Sequence, residues 1–580
     1  MTRDDDLRVR VGRVRDRGSV RRAKPFIAQA LAAAERAGGK KTRSGRGARS
    51  STFGRGRTAA IAASRWLTDR TRNVTVKARV VRHASKRAPL DPHLAYLRRD
   101  GVTRDGAAGR MFDAEHDDVD HCAFATRCEG DRHHFRFIVS PEDADRLSDL
   151  KAFTRDLMVQ AERDLGTKLD WVAVDHWNTE NPHIHVIVRG KGDDGQDLVI
   201  ARDYISKGMR ARAAHLATLE LGQRSDLEIH RGLDAQVEAD HWTKLDRAIA
   251  IEAARHDGVV DLRPRADGPP ETGLRSTLIG RMQKLERLGL AAPLGPAQWR
   301  LSENAEPTLR ALGEQNDIIK RIHRGLAEQR IERSVSDYVL DDRDRPAPII
   351  GRLVARGLDD ELTGTAYAVI DGTDGRAHHV RLANLEAAGD TAPGGIVELR
   401  RFEDAAGRQR VALAVRSDLP LSAQIEASGA TWLDRQLVAR EPMSLSSGGF
   451  GHEVHQAMEA RVEHLIREGL AQRQGQRVIC ARNLLATLRQ RELDATAARV
   501  STSSGLPYHP TAEGEAVAGV YRQRLNLASG RFAMIDNGLG FSLVPWSPSL
   551  DRHFGLQVSG IAHASRIDWS FGRSRGPSIG

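Results

Sequence analysis

The chain has 580 residues, 89 Lys+Arg against 78 Asp+Glu, a formal net charge of +11 and 40% hydrophobic residues. At one domain per roughly 150 residues this suggests about four domains. No run approaches the roughly 18 apolar residues of a membrane span, and the start, with Asp4, Asp5, Asp6 and scattered arginines, lacks a signal peptide's apolar core. Three cysteines (Cys122, Cys128, Cys480) are too few for a disulfide framework, so a cytoplasmic, multidomain protein is expected. The charge is uneven. Residues 1–90 hold 25 basic and 6 acidic side chains, net +19, and the rest carries net −8. Such a basic block suits a phosphate backbone.

Residues 1–72 read as a disordered basic tail with at most one short helix, since Lys40 to Arg57 is rich in Gly, Ser and Arg. Order is expected from NVTVKARVV, where Val74, Val76, Ala78 and Val80 alternate with polar residues as in a half-buried strand. DPHLAYLRRDG predicts a helix with Asp91 as cap and Pro92 in its first turn. HCAFATR (121–127) and HHFRFIVS (133–140) predict two strands. Ser140 and Pro141 then open a helix running to Gly166, with Leu147, Leu150, Phe153, Leu157, Ala161 and Leu165 at helical spacing. WVAVDHW (171–177) and HIHVIVRG (183–190) predict two more strands, and a helix around 205–221 ends at Gly222. The order implies an α+β domain over 73–230, an antiparallel sheet with helices on one face.

Residues 231–274 read as a linker, 275–345 as a winged-helix-like unit with Arg281, Lys284 and Arg287 on its helix, and 346–420 as a small β-barrel. The final stretch, 421–580, is an α/β region. RVEHLIREGLAQRQG in it echoes RMQKLERLGLAAPLG, with Arg281 matching Arg461 and Gly289 matching Gly469. Internal duplication and simple similarity of two glycine-capped helix ends both account for the echo.

Chemistry concentrates in DHWNTENPHIHVIVRG, residues 175–190. His183 and His185 are two apart on a strand, so both imidazoles share one face while Ile184, Val186 and Val188 take the other. A turn of about six residues folds His176 back beside them. Three imidazoles form a metal site with open positions, suited by ligand type to zinc or another borderline ion. Asp175 or Glu180 could add a carboxylate as acid, base or supporting group, although Asp175 is expected on the opposite face. A phosphodiester reaction also needs a nucleophile. Tyr96, flanked by Arg98, Arg99 and Arg104 as phosphate contacts, is favoured over Tyr204. His121, Cys122, Cys128, His133 and His134 lack paired ligand spacing, and no ATP-binding phosphate loop occurs.

HWNTENPHIHVIVRG resembles the histidine motif of conjugative relaxases, shared with rolling-circle replication initiators. HLAYLRRDG resembles their first motif, which carries the attacking tyrosine. The resemblance covers roughly residues 75–230 and is closest to the T-DNA border endonuclease and plasmid mobilisation subgroup. It implies Tyr96 as nucleophile, His176, His183 and His185 as ligands of Mg2+ or Mn2+, and single-stranded origin DNA as substrate. Accessory origin-binding proteins and a type IV secretion coupling protein are the implied partners, with export to a recipient cell bound to DNA as an option. Some relaxases carry an acidic residue where this chain has Asn178. The rival expectations are a rolling-circle replication initiator and a non-catalytic DNA-binding regulator whose histidines are structural.

Overall fold

The computed structural model describes residues 54–65, 67–83, 90–98, 102–177, 181–264, 272–340, 348–404, 407–475, 477–563 and 566–571. They divide into two compact units, Met1–Gly232 and Leu233–Gly580. Among them, no helix is long and apolar enough to cross a membrane.

The first unit is built on an antiparallel sheet of β1 (Val74–Arg82), β2 (His133–Pro141), β3 (Leu169–His176) and β4 (His183–Gly192), in the order β1-β2-β4-β3. Because β4 lies between them, β2 and β3 run parallel and are joined by a helix, a split β-α-β arrangement. Alternation sorts the side chains. Phe135, Phe137, Val139, Ile184, Val186 and Val188 enter one core with helix α4 (Leu150–Leu165) and helix α5 (Met209–Leu221). On the other face Val172, Val174 and Ile187 pack under helix α2 (Asp91–Leu97) and helix α3 (His121–Arg127), with Leu94, Leu97 and Phe124. Helices therefore lie on both faces, not one, and only the β3–β4 half of the second face is roofed by these two.

Other expectations change for local reasons. HCAFATR is the helix α3, not a strand: Asp120 accepts from the Cys122 backbone N–H as its cap, and Phe124 and Cys128 are buried one turn apart. Ser140 and Pro141 do not open α4. They finish β2, with Val74 paired to Pro141, and Asp149 caps the helix instead. Much of the expected tail lies outside the described residues, but its described parts, 54–65 and 67–72, pack onto the domain. Helix α1 (Arg57–Ser64) buries Ala60 and Ala63, and the buried Arg72 pairs with Asp143 and Glu228.

The second unit opens where a linker was expected. After helix α6 (Asp226–Glu238), which contains the division between units, come helix α7 (Lys244–Arg255) and β5 (Val259–Asp261); only 265–271 of that linker lie outside the described residues. Helix α8 (Thr272–Arg287) leads to the hairpin β6 (Ala291–Gly295) and β7 (Gln298–Leu301), and β5, β7 and β6 form a three-stranded sheet. Helix α9 (Ala305–Glu328) follows. The barrel-like stretch is an open six-stranded sheet. Its order is β13 (Gln409–Ser417), β12 (Ile396–Glu403), β9 (Ile349–Asp360), β10 (Thr365–Gly372), β11 (Ala377–Leu382), β8 (Tyr338–Val339), with β13 and β8 at its edges.

The echo between the two later segments has a structural counterpart. Arg281 is buried on α8 and grips both oxygens of Asp246 while donating to the carbonyls of Val237, Ala239 and His241. Arg461, buried on helix α12 (Gly449–Arg467), grips Asp434 and donates to the carbonyls of Ile425, at the end of helix α10 (Leu421–Ile425), Ala427 and Gly429. Each aspartate closes a capping box, with Thr243 on α7 or with Thr431 on helix α11 (Trp432–Leu437). The glycine ends match too, at φ 70° for Gly289 and 69° for Gly469. Glycine caps alone do not require five matching guanidinium contacts, so the two segments share one plan. Arg281 is thus a packing residue, and Lys284 and Arg287 are occupied by Glu238, with Asp240 also on Lys284. The hairpin of the second copy, β14 (Ala471–Gln474) and β15 (Arg477–Cys480), precedes helix α13 (Leu484–Ser504). Five further strands between Ala516 and Ser570 form a sheet at the end of the chain.

Candidate metal centre

The histidines meet because of strand pairing. His176 is opposite His183 across the β3–β4 ladder, and His185 is opposite Val174, so all three rings share the face that carries α2 and α3. Ring centroids are 5.4 Å apart for His176–His183, 4.5 Å for His176–His185 and 4.9 Å for His183–His185. The side chains are 0%, 8% and 4% exposed.

Hydrogen bonds fix which nitrogens can ligate. His176 Nε2 lies 2.8 Å from the Leu97 carbonyl oxygen, which can only accept, so Nε2 carries the proton and Nδ1 the lone pair. His183 Nδ1 donates to the Asn181 carbonyl at 2.9 Å, which leaves its Nε2 lone pair facing His185. His183 Nε2 and His185 Nε2 are 3.2 Å apart. Metal–nitrogen bonds of about 2.0–2.1 Å at octahedral to tetrahedral angles put neighbouring ligand nitrogens about 2.8–3.4 Å apart. The ligating atoms of the three residues lie within 4.8 Å of one another. Imidazoles that donate one N–H to a backbone carbonyl and turn the other nitrogen inward are the usual arrangement around a cation. The donor set fits a divalent ion.

The same bond locates the helix that carries the tyrosine. Leu97, whose carbonyl holds His176, follows Tyr96 directly, so helix α2 sits on the histidine site. Tyr96 is half-buried against the cluster of Leu90, Leu94, Leu97 and Phe124. Arg98, at the end of α2, donates to His121 Nδ1 at 2.6 Å and ties α2 to α3. Arg104 is exposed, with its guanidinium 5.0 Å from the ring centre of Trp177, the neighbour of His176. Asp175 points away from the three rings, as expected, and accepts from Trp177 Nε1. Arg99 and Glu180, and with them Asn178, lie outside the described residues. Tyr204 is buried elsewhere in the core and donates to Asp164 at 2.9 Å; burial and that carboxylate push its phenol far above the usual range, leaving it inert.

Sequence reading missed the two carbonyls, which only tertiary contacts reveal. It also passed over Arg136, whose half-buried guanidinium shares the histidine face of the sheet.

Residues 278–408 and 400–578 match the family model described as Protein of unknown function (DUF3363), and the chain belongs to that family. One copy of the shared plan's arginine, Arg281 or Arg461, falls in each matched stretch, whereas the histidine site lies outside both. No curated protein and no solved structure matches the chain.

Proposed function

We propose that the chain is a metal-dependent DNA relaxase, a transesterase that nicks one strand at a transfer origin through a covalent tyrosyl link. The observation that carries this reading is the 2.8 Å contact between His176 and the backbone of the residue after Tyr96, which brings a phenol-bearing helix to a three-imidazole centre. Neither half suffices alone: three histidines bind metals in many settings, and most tyrosines are packing residues.

His176, His183 and His185 would hold a divalent ion, Mg2+ or Mn2+ by resemblance. Bound there, such an ion supplies charge withdrawal from a non-bridging oxygen of the scissile phosphate. Tyr96 Oη attacks phosphorus in line; the Oη–P bond forms as the bond to the 3′ oxygen breaks. The phenol gives up its proton and the departing 3′ oxygen gains one. One phosphodiester replaces another, so the step reverses without ATP. The substrate strand enters single-stranded, since a stacked duplex cannot present its phosphate to a roofed cleft. Origin-binding accessory proteins and a secretion coupling protein are the partners this activity calls for.

The test is supercoiled plasmid carrying the cognate origin, incubated with protein and Mg2+ and then digested with protease. Wild type is expected to leave a nicked circle with a peptide on its 5′ end. Tyr96→Phe removes the adduct, and His185→Ala removes metal-dependent nicking. An active Tyr96→Phe beside an inactive Tyr204→Phe would reassign the nucleophile. A wild-type protein that neither binds metal nor forms an adduct would point to a DNA-binding regulator.

A further inference from the structure

Residues two apart on β2 share a face, so His134, Arg136 and Ile138 lie on the same side of the sheet as the histidine centre. Arg136 Nε donates to His134 Nε2 at 3.0 Å. With that nitrogen accepting, the proton of neutral His134 sits on Nδ1, which donates to His83 Nε2 at 2.8 Å. His134 is buried, and its pKa is pushed down to about 3 by that burial and by the Arg136 charge, so it remains an uncharged acceptor. Among the described residues no carboxylate pairs with Arg136. Burial, with Arg79 alongside, lowers its own pKa to about 10, so the guanidinium stays charged near neutrality. A desolvated cation oriented by a neutral relay and left without an internal anion is costly, unless a ligand supplies the anion.

Register gives its place. Arg136 pairs with Ile187, and Ile138 pairs with His185. Arg136 is thus a diagonal neighbour of His185, about 7–8 Å away between backbones. Across β1, Arg79 is opposite Arg136 and Lys77 opposite Ile138, which makes this half of the face basic.

We infer that Arg136 is a phosphate subsite: its two terminal nitrogens seat the backbone phosphate adjacent to the one addressed by the histidines. The inference deepens the relaxase reading and rests on it for the identity of the ligand, single-stranded DNA. His134 and His83 are positioning residues that hold the guanidinium plane. A guanidinium suits the role because it grips phosphate oxygens in pairs.

The test measures binding of a fluorescent oligo(dT) strand to the full chain by anisotropy across a salt series. Arg136→Gln is expected to weaken binding about tenfold and to reduce the slope of log K against log salt by about 0.7, the loss of one phosphate contact on a single strand. Arg136→Lys keeps the slope, with affinity between the two. Mn2+ titration of Arg136→Gln is expected to match wild type, which keeps the histidine centre separate from the subsite. An Arg136→Gln protein with wild-type affinity and slope overturns the subsite and leaves the relaxase reading standing. A wild-type chain that binds no oligo(dT) overturns both. Should Arg136→Gln not fold, phenylglyoxal labelling of wild type decides: oligo(dT) protects Arg136 in the peptide mass spectrum if the subsite exists, and equal labelling with and without DNA refutes it.

Discussion

Arg136 and His134 form a unit in which one group is charged so long as the other is not. In an unfolded chain a histidine titrates near 6.5, whereas folded His134 holds off its proton until about 3. Above pH 6.5 both states are neutral and the contribution to stability is full. As pH falls, the unfolded chain takes up a proton that the folded one refuses, so stability is lost. From pH 6.5 to 4.5 the loss from this residue is about 2 kcal/mol. Urea midpoints across that range should fall more steeply for wild type than for His134→Gln; parallel curves would show that His134 protonates freely in the fold. The histidine trio was legible in the sequence because both of its signals are local: a period of two for His183 and His185, and a turn of about six residues that returns His176. Arg136 was not, since its meaning depends on His83, 53 positions upstream, and on the partner strand β4.

At the level of elements, the pairing of β2 with β4 sets the register that brings His185 and Arg136 together. Gly190 marks its tightest point. A Cβ there would stand 1.9 Å from the His133 carbonyl oxygen, closer than any side chain tolerates. Gly190→Ala is therefore expected to cost about 3 kcal/mol or more by overpacking. It should lower the melting temperature and weaken Mn2+ binding together, whereas an unchanged melting curve would mean that the ladder yields at little cost. The strands were readable from alternation, since β1, β3 and β4 begin within two residues of their expected starts. Residues 121–127 were not: an aromatic, short-sided sequence suits a strand, and the deciding signal was the cap at Asp120 just before it.

Across the whole molecule, one plan occurs twice, and both copies hinge on a buried ion pair. Removing one partner strands the other charge without water, at about 3–5 kcal/mol. Arg281→Met and Arg461→Met should each lower the melting temperature of the full chain, while exposed Arg287, paired only at the surface with Glu238, should tolerate Arg287→Met within about 1 kcal/mol. Equal melting temperatures for all three variants would remove the buried pairs from the account. The repeated arginine was visible as a sequence echo, but its partner was not. Asp246 precedes Arg281 by 35 positions and Asp434 precedes Arg461 by 27, so no fixed spacing advertises the pair.

The carbonyls of Leu97 and Asn181 orient two of the three imidazoles, and a carbonyl is supplied by every amino acid. Codon changes at positions 97 and 181 therefore leave the orientation of these two rings intact so long as the main chain keeps its course. What would disturb it is displacement of the helix that bears Tyr96: a shift there would release the N–H of His176 and free the ring to turn. The position of that helix and the orientation of the His176 ring are in this way one mechanical variable, and a change that moves one moves the other.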